Sequence, residues 1–398
     1  MRVEVLPPSH SGDLEFVSGR VSWEDSGRKD RVLYAGAPAG TFRQPNTAHW
    51  LLLSVIHSAV RHGERRVAIE GGAVDPALLR SLCCALAQYD HWFGGGTVPI
   101  EAEIDSGRPV SEDQQRCTAA FFSGGVDSLG TIVRNRADFA REHPWAVDDA
   151  ILIDWMGPSS PDELDGRLTP QHVYIQQLMD RLSGPLDITL VPIVTNIRRL
   201  EHNDFYYDWM FRDNGAGLAS LAHVLDGRIG RAMIASTYDL ASLGPLGSHP
   251  LIDPWYGSST VQIVHDSPDQ SRLEKMRMLV DRPELLATLN VCSFWFQRAP
   301  GEPPNCGECE KCLRTRVGLE ALGVDTAALP TFAPADLLAG IRAREYFDDD
   351  YARACWADTV EPLTRRGDHQ LARAVAHFVE NAPMRNPFVA ALAGGSRS

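Results

Sequence analysis

The sequence predicts an α/β protein: a doubly wound, mostly parallel five-stranded sheet, preceded by a small α+β domain and followed by a four-cysteine knuckle and a helical C-terminal region. Three observations predict it. From Cys117 onward short β-rich runs alternate with helical stretches, the rhythm of a parallel sheet covered on both faces. The first 110 residues mix strands and helices without that rhythm, and beyond about residue 290 four cysteines precede a run of helical patterns. The 398 residues suffice for two or three domains, here 1–110, 115–290 and 291–398.

In the first part LEFVSGRVSW, RVLYAGAP, RRVAIEG and VPIEAEI read as strands, and NTAHWLLLSVIHSAVRHG and PALLRSLCCALAQYDHW as helices. The polar stretch DSGRPVSEDQQR carries Pro109 and suits a linker. The five sheet strands are CTAAFF, DDAILIDWM, LDITLVPIV, GRAMIASTY and TVQIVH. PADLLAGIRAREYF, YARACWADTV and HQLARAVAHFVENA read as helices, before a frayed tail at LAGGSRS.

Composition narrows the function classes. With 44% hydrophobic and 23% charged residues the chain is an ordinary globular one. A net charge of −14 speaks against a non-specific polyanion binder, so no nucleic-acid partner is expected. No apolar run is long enough to span a bilayer and the N-terminus lacks a signal-peptide core, which makes the cytoplasm the default location and a membrane partner unexpected. The lysines are Lys29, Lys275 and Lys311, arginine supplying the remaining positive charge. Cys83, Cys84, Cys117 and Cys355 are scattered and read as small buried hydrophobes.

Directly after the apolar strand CTAAFF come Ser123, Gly124, Gly125, Val126, Asp127 and Ser128, followed by a helical pattern. A strand, a glycine turn and a helix start make an anion site, because the first-turn N–H groups converge unpaired and the helix dipole adds positive charge. The glycines let a phosphate approach and allow the backbone angles of the turn. Ser123 and Ser128 offer hydroxyl donors, and Asp127 can cap the helix or hold Mg2+. The spacing and lysine of a Walker A loop are absent, and a tight turn without ligand is the bland alternative. The full S-G-G-V-D-S string resembles the pyrophosphate-binding loop of the PP-loop, or N-type ATP pyrophosphatase, family. The resemblance implies a HUP-like sheet and a loop that grips the β- and γ-phosphates of ATP. It further implies adenylation of a substrate oxygen with release of pyrophosphate.

Cys306, Cys309 and Cys312 follow C-x-x-C spacing, with Cys292 upstream. Four thiolates suit a closed, structural Zn2+ site, and an iron–sulfur cluster or redox thiols are the alternatives. Loop and cysteines together are similar to 7-cyano-7-deazaguanine synthases across roughly residues 117–320. That likeness implies a carboxylate converted with ammonia and ATP into an amide and then a nitrile. The chain departs from it in its N-terminal domain, its helical tail, and FRDNGAGLASLAH where the synthases carry G-R-N.

Further candidates sit at expected strand ends. Arg212 and Asn214 open the helix with the partial G-x-G pattern and can face substrate. The loop STYDLASLGPLGSHPLIDPWYGS has the look of a substrate lid, in which His249, Asp253, Trp255 and Tyr256 can stack on and bond a planar ligand. Ser271, Arg272 and Lys275 lie near the next helix start, Lys275 being placed to neutralise ATP phosphates. Ile153, Asp154 and Trp155 end the second strand, where the resemblance implies an adenine seat, and His265 ends another.

The sequence thus points to an ATP-dependent C–N ligase. Asp127 and Lys275 are its catalytic candidates, Ser123–Ser128 and Asp154 bind ATP, and Arg212, Asn214, His249, Asp253 and Trp255 bind a planar carboxylate such as 7-carboxy-7-deazaguanine. The alternatives are ligation of such a carboxylate to a partner protein in a bacterial defence system, a tRNA-modifying sulfurtransferase, and a nucleotide sensor. A homodimer is among the assemblies considered. Asp127→Ala is expected to stop ATP turnover and to spare the fold.

Overall fold

The computed structural model describes residues 1–105, 107, 117–155, 157–164, 182, 184, 186–200, 208–294, 298–299 and 301–384. Apart from Asp105 and Gly107 the expected linker lies outside them, as does the LAGGSRS tail. The chain forms two compact units. The first comprises Met1–Ser123, Asn135–Ser236 and Gly244–Asp266; the second comprises Gly124–Arg134, Thr237–Leu243 and the chain from Ser267 onward.

The first unit carries one ten-stranded, mostly parallel sheet. Its strands are β1 (Arg2–Ser11), β2 (Leu14–Ser22), β3 (Arg31–Pro38), β4 (Val67–Val74), β5 (Ile100–Ile104), β6 (Cys117–Phe122), β7 (Val147–Asp154), β8 (Thr189–Thr195), β9 (Ile229–Ala235) and β10 (Gln262–Asp266). They lie in the order β10-β9-β6-β7-β8-β3-β2-β1-β4-β5. The five strands expected from the alternating pattern all form, as β6 to β10, and pair in parallel throughout.

Two expectations change. The sheet does not stop at five strands, because β3 pairs antiparallel with β8 through Ala35–Thr195 and Gly36–Val194. Residues 1–110 accordingly share a sheet and a core with strands β6 to β10, and the division after residue 110 is not the one between the units. The physical reason is that β8 offers an edge whose N–H and C=O groups need partners, and β3 supplies them. Asn196, just past β8, strengthens the seam: its Oδ1 accepts the Tyr34 N–H at 2.9 Å and its Nδ2 donates to the Val32 carbonyl at 2.9 Å. β1 is an additional strand that the sequence pattern does not predict, since Pro7 and Pro8 interrupt it; the β1–β2 register shifts between Leu6 and Ser9, where the bulge absorbs them.

Two helices complete the N-terminal part. Helix α1 (Thr47–Arg61) starts on the Asn46 side chain, which accepts the His49 N–H at 3.1 Å, and is buried from Ala48 to Val60 save for Ser54. Helix α2 (Pro76–Phe93) pairs an Asp75 cap with proline at its first position. Cys83 and Cys84 on α2 are exposed and Cys117 is half-buried, against the expectation of buried cysteines; Cys355 is buried.

Buried histidines are expected to make this unit acid-sensitive. His49 Nε2 accepts the Asp75 N–H at 2.9 Å, so the ring is neutral, and burial, then the His223 ring 5.1 Å away, push its pKa from 6.5 down to about 3. Burial also lowers that of His223. A depressed histidine favours the unfolded state once that state takes up a proton, so stability falls as pH drops below about 6.5. Between pH 7 and pH 4 His49 alone is expected to cost about 3 kcal/mol. Urea unfolding at both pH values checks it: in His49→Gln the loss should shrink by about that amount, and an unchanged loss would contradict the assignment.

The second unit is helical. Helix α3 (Val126–Asp138) starts within it, and α4 (Asn214–Val224) belongs to the first unit; α5 (Arg272–Arg277), α6 (Glu310–Ala321), α7 (Leu337–Arg342), α8 (Asp350–Arg365) and α9 (His369–Asn381) follow. Asp349 caps α8 and Asp368 caps α9, and Trp356, Leu363, Val375 and Phe378 pack between them. The region expected to be helical is so, and α6, inside the cysteine segment, adds to it. No helix of the described residues is long and apolar enough to cross a membrane.

Candidate functional site

Ser123 ends the first unit's stretch after β6, and Gly124 opens the second unit's. Gly124 sits in the left-handed region at φ 74°, and its carbonyl accepts the Asn290 N–H at 2.9 Å. The helix then begins at Val126. Ser128 Oγ donates to the Gly125 carbonyl at 3.1 Å, within the first turn. A side chain at Gly124 strains this turn, so Gly124→Ala is expected to lower the unfolding free energy by about 1–2 kcal/mol. Urea unfolding reads it, and full wild-type stability would contradict the left-handed turn.

Asp127 projects from that turn onto two buried cations. Arg272 Nη1 donates to its two oxygens at 3.1 and 3.3 Å, and Lys275 Nζ lies 3.9 Å away. A capping box, in which Ser271 and Glu274 bond each other's backbone N–H, starts α5 and puts Arg272 and Lys275 three residues apart on one face. Lys275 is 1% exposed, and Gly130 on α3 lets its stem approach, a Cβ there meeting the Lys275 chain at 3.4 Å. Arg272 Nη2 also donates to Thr315 Oγ1 at 3.3 Å, and that hydroxyl donates to the Lys311 carbonyl. Burial, then Arg314 and Arg272, holds the Lys311 ammonium below its ordinary pKa. Two cations and a helix N-terminus converge on the Asp127 carboxylate here.

The four cysteines converge in the same unit. Their sulfurs all lie within 4.8 Å of one another, and this cluster could hold a metal ion. Cys292–Cys309 and Cys306–Cys312 are 3.9 and 3.8 Å apart, against about 3.8 Å for sulfurs around a tetrahedral zinc. The Cys309 N–H donates to Cys306 Sγ and the Phe294 N–H to Cys292 Sγ, each at 3.3 Å, and hydrogen bonding by Cys309 and Cys312 favours the Cys292 thiolate. Gly307 turns at φ 80°, where a Cβ would stand 2.7 Å from the Ala333 carbonyl. Fully buried Asn305 ties the knuckle together, accepting from the Val291 and Cys292 N–H groups and donating to the Leu289 and Thr331 carbonyls. Cys309 stands directly before α6, its carbonyl accepting the Leu313 N–H at 2.9 Å, and α6 carries Lys311, Arg314 and Thr315.

No family model, curated protein or solved structure matches the chain.

The remaining candidates belong to the first unit. Asp154, the last residue of β7, is fully buried, and burial followed by its charge raises the pKa of Tyr34. Asp253 is also fully buried and accepts from Ser248 Oγ at 2.7 Å, the His249 N–H at 3.3 Å and His265 Nδ1 at 2.7 Å, so its carboxylate pins its own loop. His249 is 8% exposed; its Nδ1 accepts the Leu251 N–H and its ring packs on Trp92. Burial, then His265, lowers its pKa. Arg212 pairs with Asp208 at 3.4 Å and covers Phe93. Asn214 Oδ1 accepts the N–H of Gly215. The glycines after it serve packing: a Cβ on Gly215 would stand 2.2 Å from the Gly247 carbonyl, and one on Gly217 would meet Trp209 at 2.4 Å. Trp255 is 43% exposed.

Sequence patterns alone do not single out Thr315, Asn305 or Ser236. Asn305 has a signal, its position directly before Cys306. Thr315 and Ser236 have none, because their partners are distant in sequence.

Proposed function

We propose that the chain is an ATP-dependent enzyme that adenylates a carboxylate and passes it to a nitrogen nucleophile, giving an amide or nitrile. One observation carries this reading: two buried cations, Arg272 and Lys275, meet Asp127 at the glycine-led start of α3. Buried cations beside a helix N-terminus suit an anion, and a pyrophosphate group fits such a place. The all-parallel order β8-β7-β6-β9-β10 further supports a doubly wound PP-loop sheet, whose strand β6 leads into the loop.

In this reading the substrate carboxylate attacks the α-phosphorus of ATP, pyrophosphate leaves, and ammonia or an amine then displaces AMP to give an amide. A primary amide becomes the nitrile when its oxygen attacks a second ATP and leaves as AMP with loss of the two amide protons. The backbone of Gly124 to Ser128 positions the β- and γ-phosphates. Arg272 and Lys275 neutralise the charge that develops on the departing pyrophosphate. Asp127 holds both cations in place and is the oxygen donor on hand for Mg2+, which when bound neutralises phosphate charge. Cys292, Cys306, Cys309 and Cys312 would hold zinc, leaving it no open position for catalysis.

The test is mass spectrometry after incubation with ATP, magnesium, ammonia and 7-carboxy-7-deazaguanine. AMP, pyrophosphate and an amide or nitrile are expected. AMP without that product would keep the adenylation and move the search to an amine on a partner protein. ATP left intact with all carboxylates tried would sink the reading.

A further inference from the structure

We propose that Ser236, His265 and Asp253 form a second reactive centre, in which Ser236 is a nucleophile for activated acyl groups. All three belong to the first unit, and the centre is independent of the ATP reading. Ser236 directly follows β9 and His265 lies near the end of β10, at the carboxyl ends of parallel strands, where such sheets bind their ligands. His265 Nδ1 lies 2.7 Å from Asp253 Oδ2 and Nε2 lies 2.9 Å from Ser236 Oγ. A carboxylate only accepts, so Nδ1 carries the proton and the Nε2 lone pair faces the serine hydroxyl. Ser236 then donates to Nε2, the arrangement that turns a serine into a nucleophile on unrelated folds. Ser248 and the His249 backbone already hold the carboxylate, so its bond to His265 fixes the imidazole.

The chemistry balances without a further reagent. Ser236 Oγ attacks the carbonyl of an ester or thioester, His265 Nε2 takes the hydroxyl proton, and that proton leaves with the alcohol or thiol as the acyl–serine ester forms. Water, deprotonated by His265, then releases the acid and restores the serine. Ser236 is 1% exposed, so a small acyl group enters by local opening, and opening sets the upper limit on the rate.

The experiment treats the full-length protein with a small alkyl fluorophosphonate and follows intact mass and the tryptic map. One adduct is expected, on Ser236. It should be absent in Ser236→Ala and form at least about tenfold more slowly in His265→Gln. In Asp253→Asn the pH dependence of labelling should change, a readout that a purely structural role leaves unmoved. Should a variant fail to fold, the map of the unaltered protein still decides. No adduct, an adduct on another serine, or an unchanged rate in folded His265→Gln would overturn the proposal.

Discussion

Asp127→Ala is expected to abolish pyrophosphate release and to lower the unfolding free energy by about 3 kcal/mol. The first effect follows from the proposed role of Asp127 in aligning Arg272 and Lys275 beside the phosphate site. The second follows from burial, because the substitution takes a carboxylate away from two cations whose side chains are 7% and 1% exposed. Breaking a buried pair costs about 3–5 kcal/mol, and the low end applies because Asp127 keeps 21% of its surface exposed. This revises the sequence expectation that the substitution spares the fold. Adding Lys275→Met should restore part of the stability and none of the turnover, since one buried charge is gone while the site stays broken. Pyrophosphate release and urea unfolding on the single and double variants separate the effects. Full turnover by Asp127→Ala would remove the site assignment; unchanged stability would remove the electrostatic account.

Cys309→Ser has the other large expected effect: zinc content falling from one ion per chain to about a tenth or less, together with a lower melting temperature. Binding of a structural zinc is worth about 10–16 kcal/mol in isolated fingers, so a zinc held here would organise the knuckle. Cys309 directly precedes α6, and so loss of the metal would reach the helix bearing Lys311, Arg314 and Thr315. Elemental analysis and a melting curve taken together test it. Cys355→Ser, outside the cluster, should keep its zinc. Equal zinc in Cys309→Ser and wild type would show that the four sulfurs are not a metal site.

What the sequence reveals is local. The strands β6 to β10 are readable because each is a short apolar run bounded by turns, and the loop because its glycines and aspartate are contiguous. The β3–β8 seam is not, since backbone pairing between residues about 160 apart leaves no mark in either segment. β1 is hidden by two prolines, and α6 by the cysteines that open it. At the candidate site Lys275 stands out as one of three lysines, whereas Arg272 gains its meaning only when the capping box sets both on one face toward Asp127. Asp253 misleads for a general reason: a carboxylate in a glycine- and proline-rich loop looks available until its bonds to Ser248, His249 and His265 are known.

The seam between β3 and β8 has a consequence for synthesis. β3 ends at Pro38 and its partner begins at Thr189, so about 150 residues must leave the ribosome before that partner exists. At 5–20 residues per second the nascent chain waits roughly ten to thirty seconds with the β3 edge open to other strands. That interval falls early in the life of every copy, and an emerging chain held by a chaperone during it is protected where this fold is most prone to mispair.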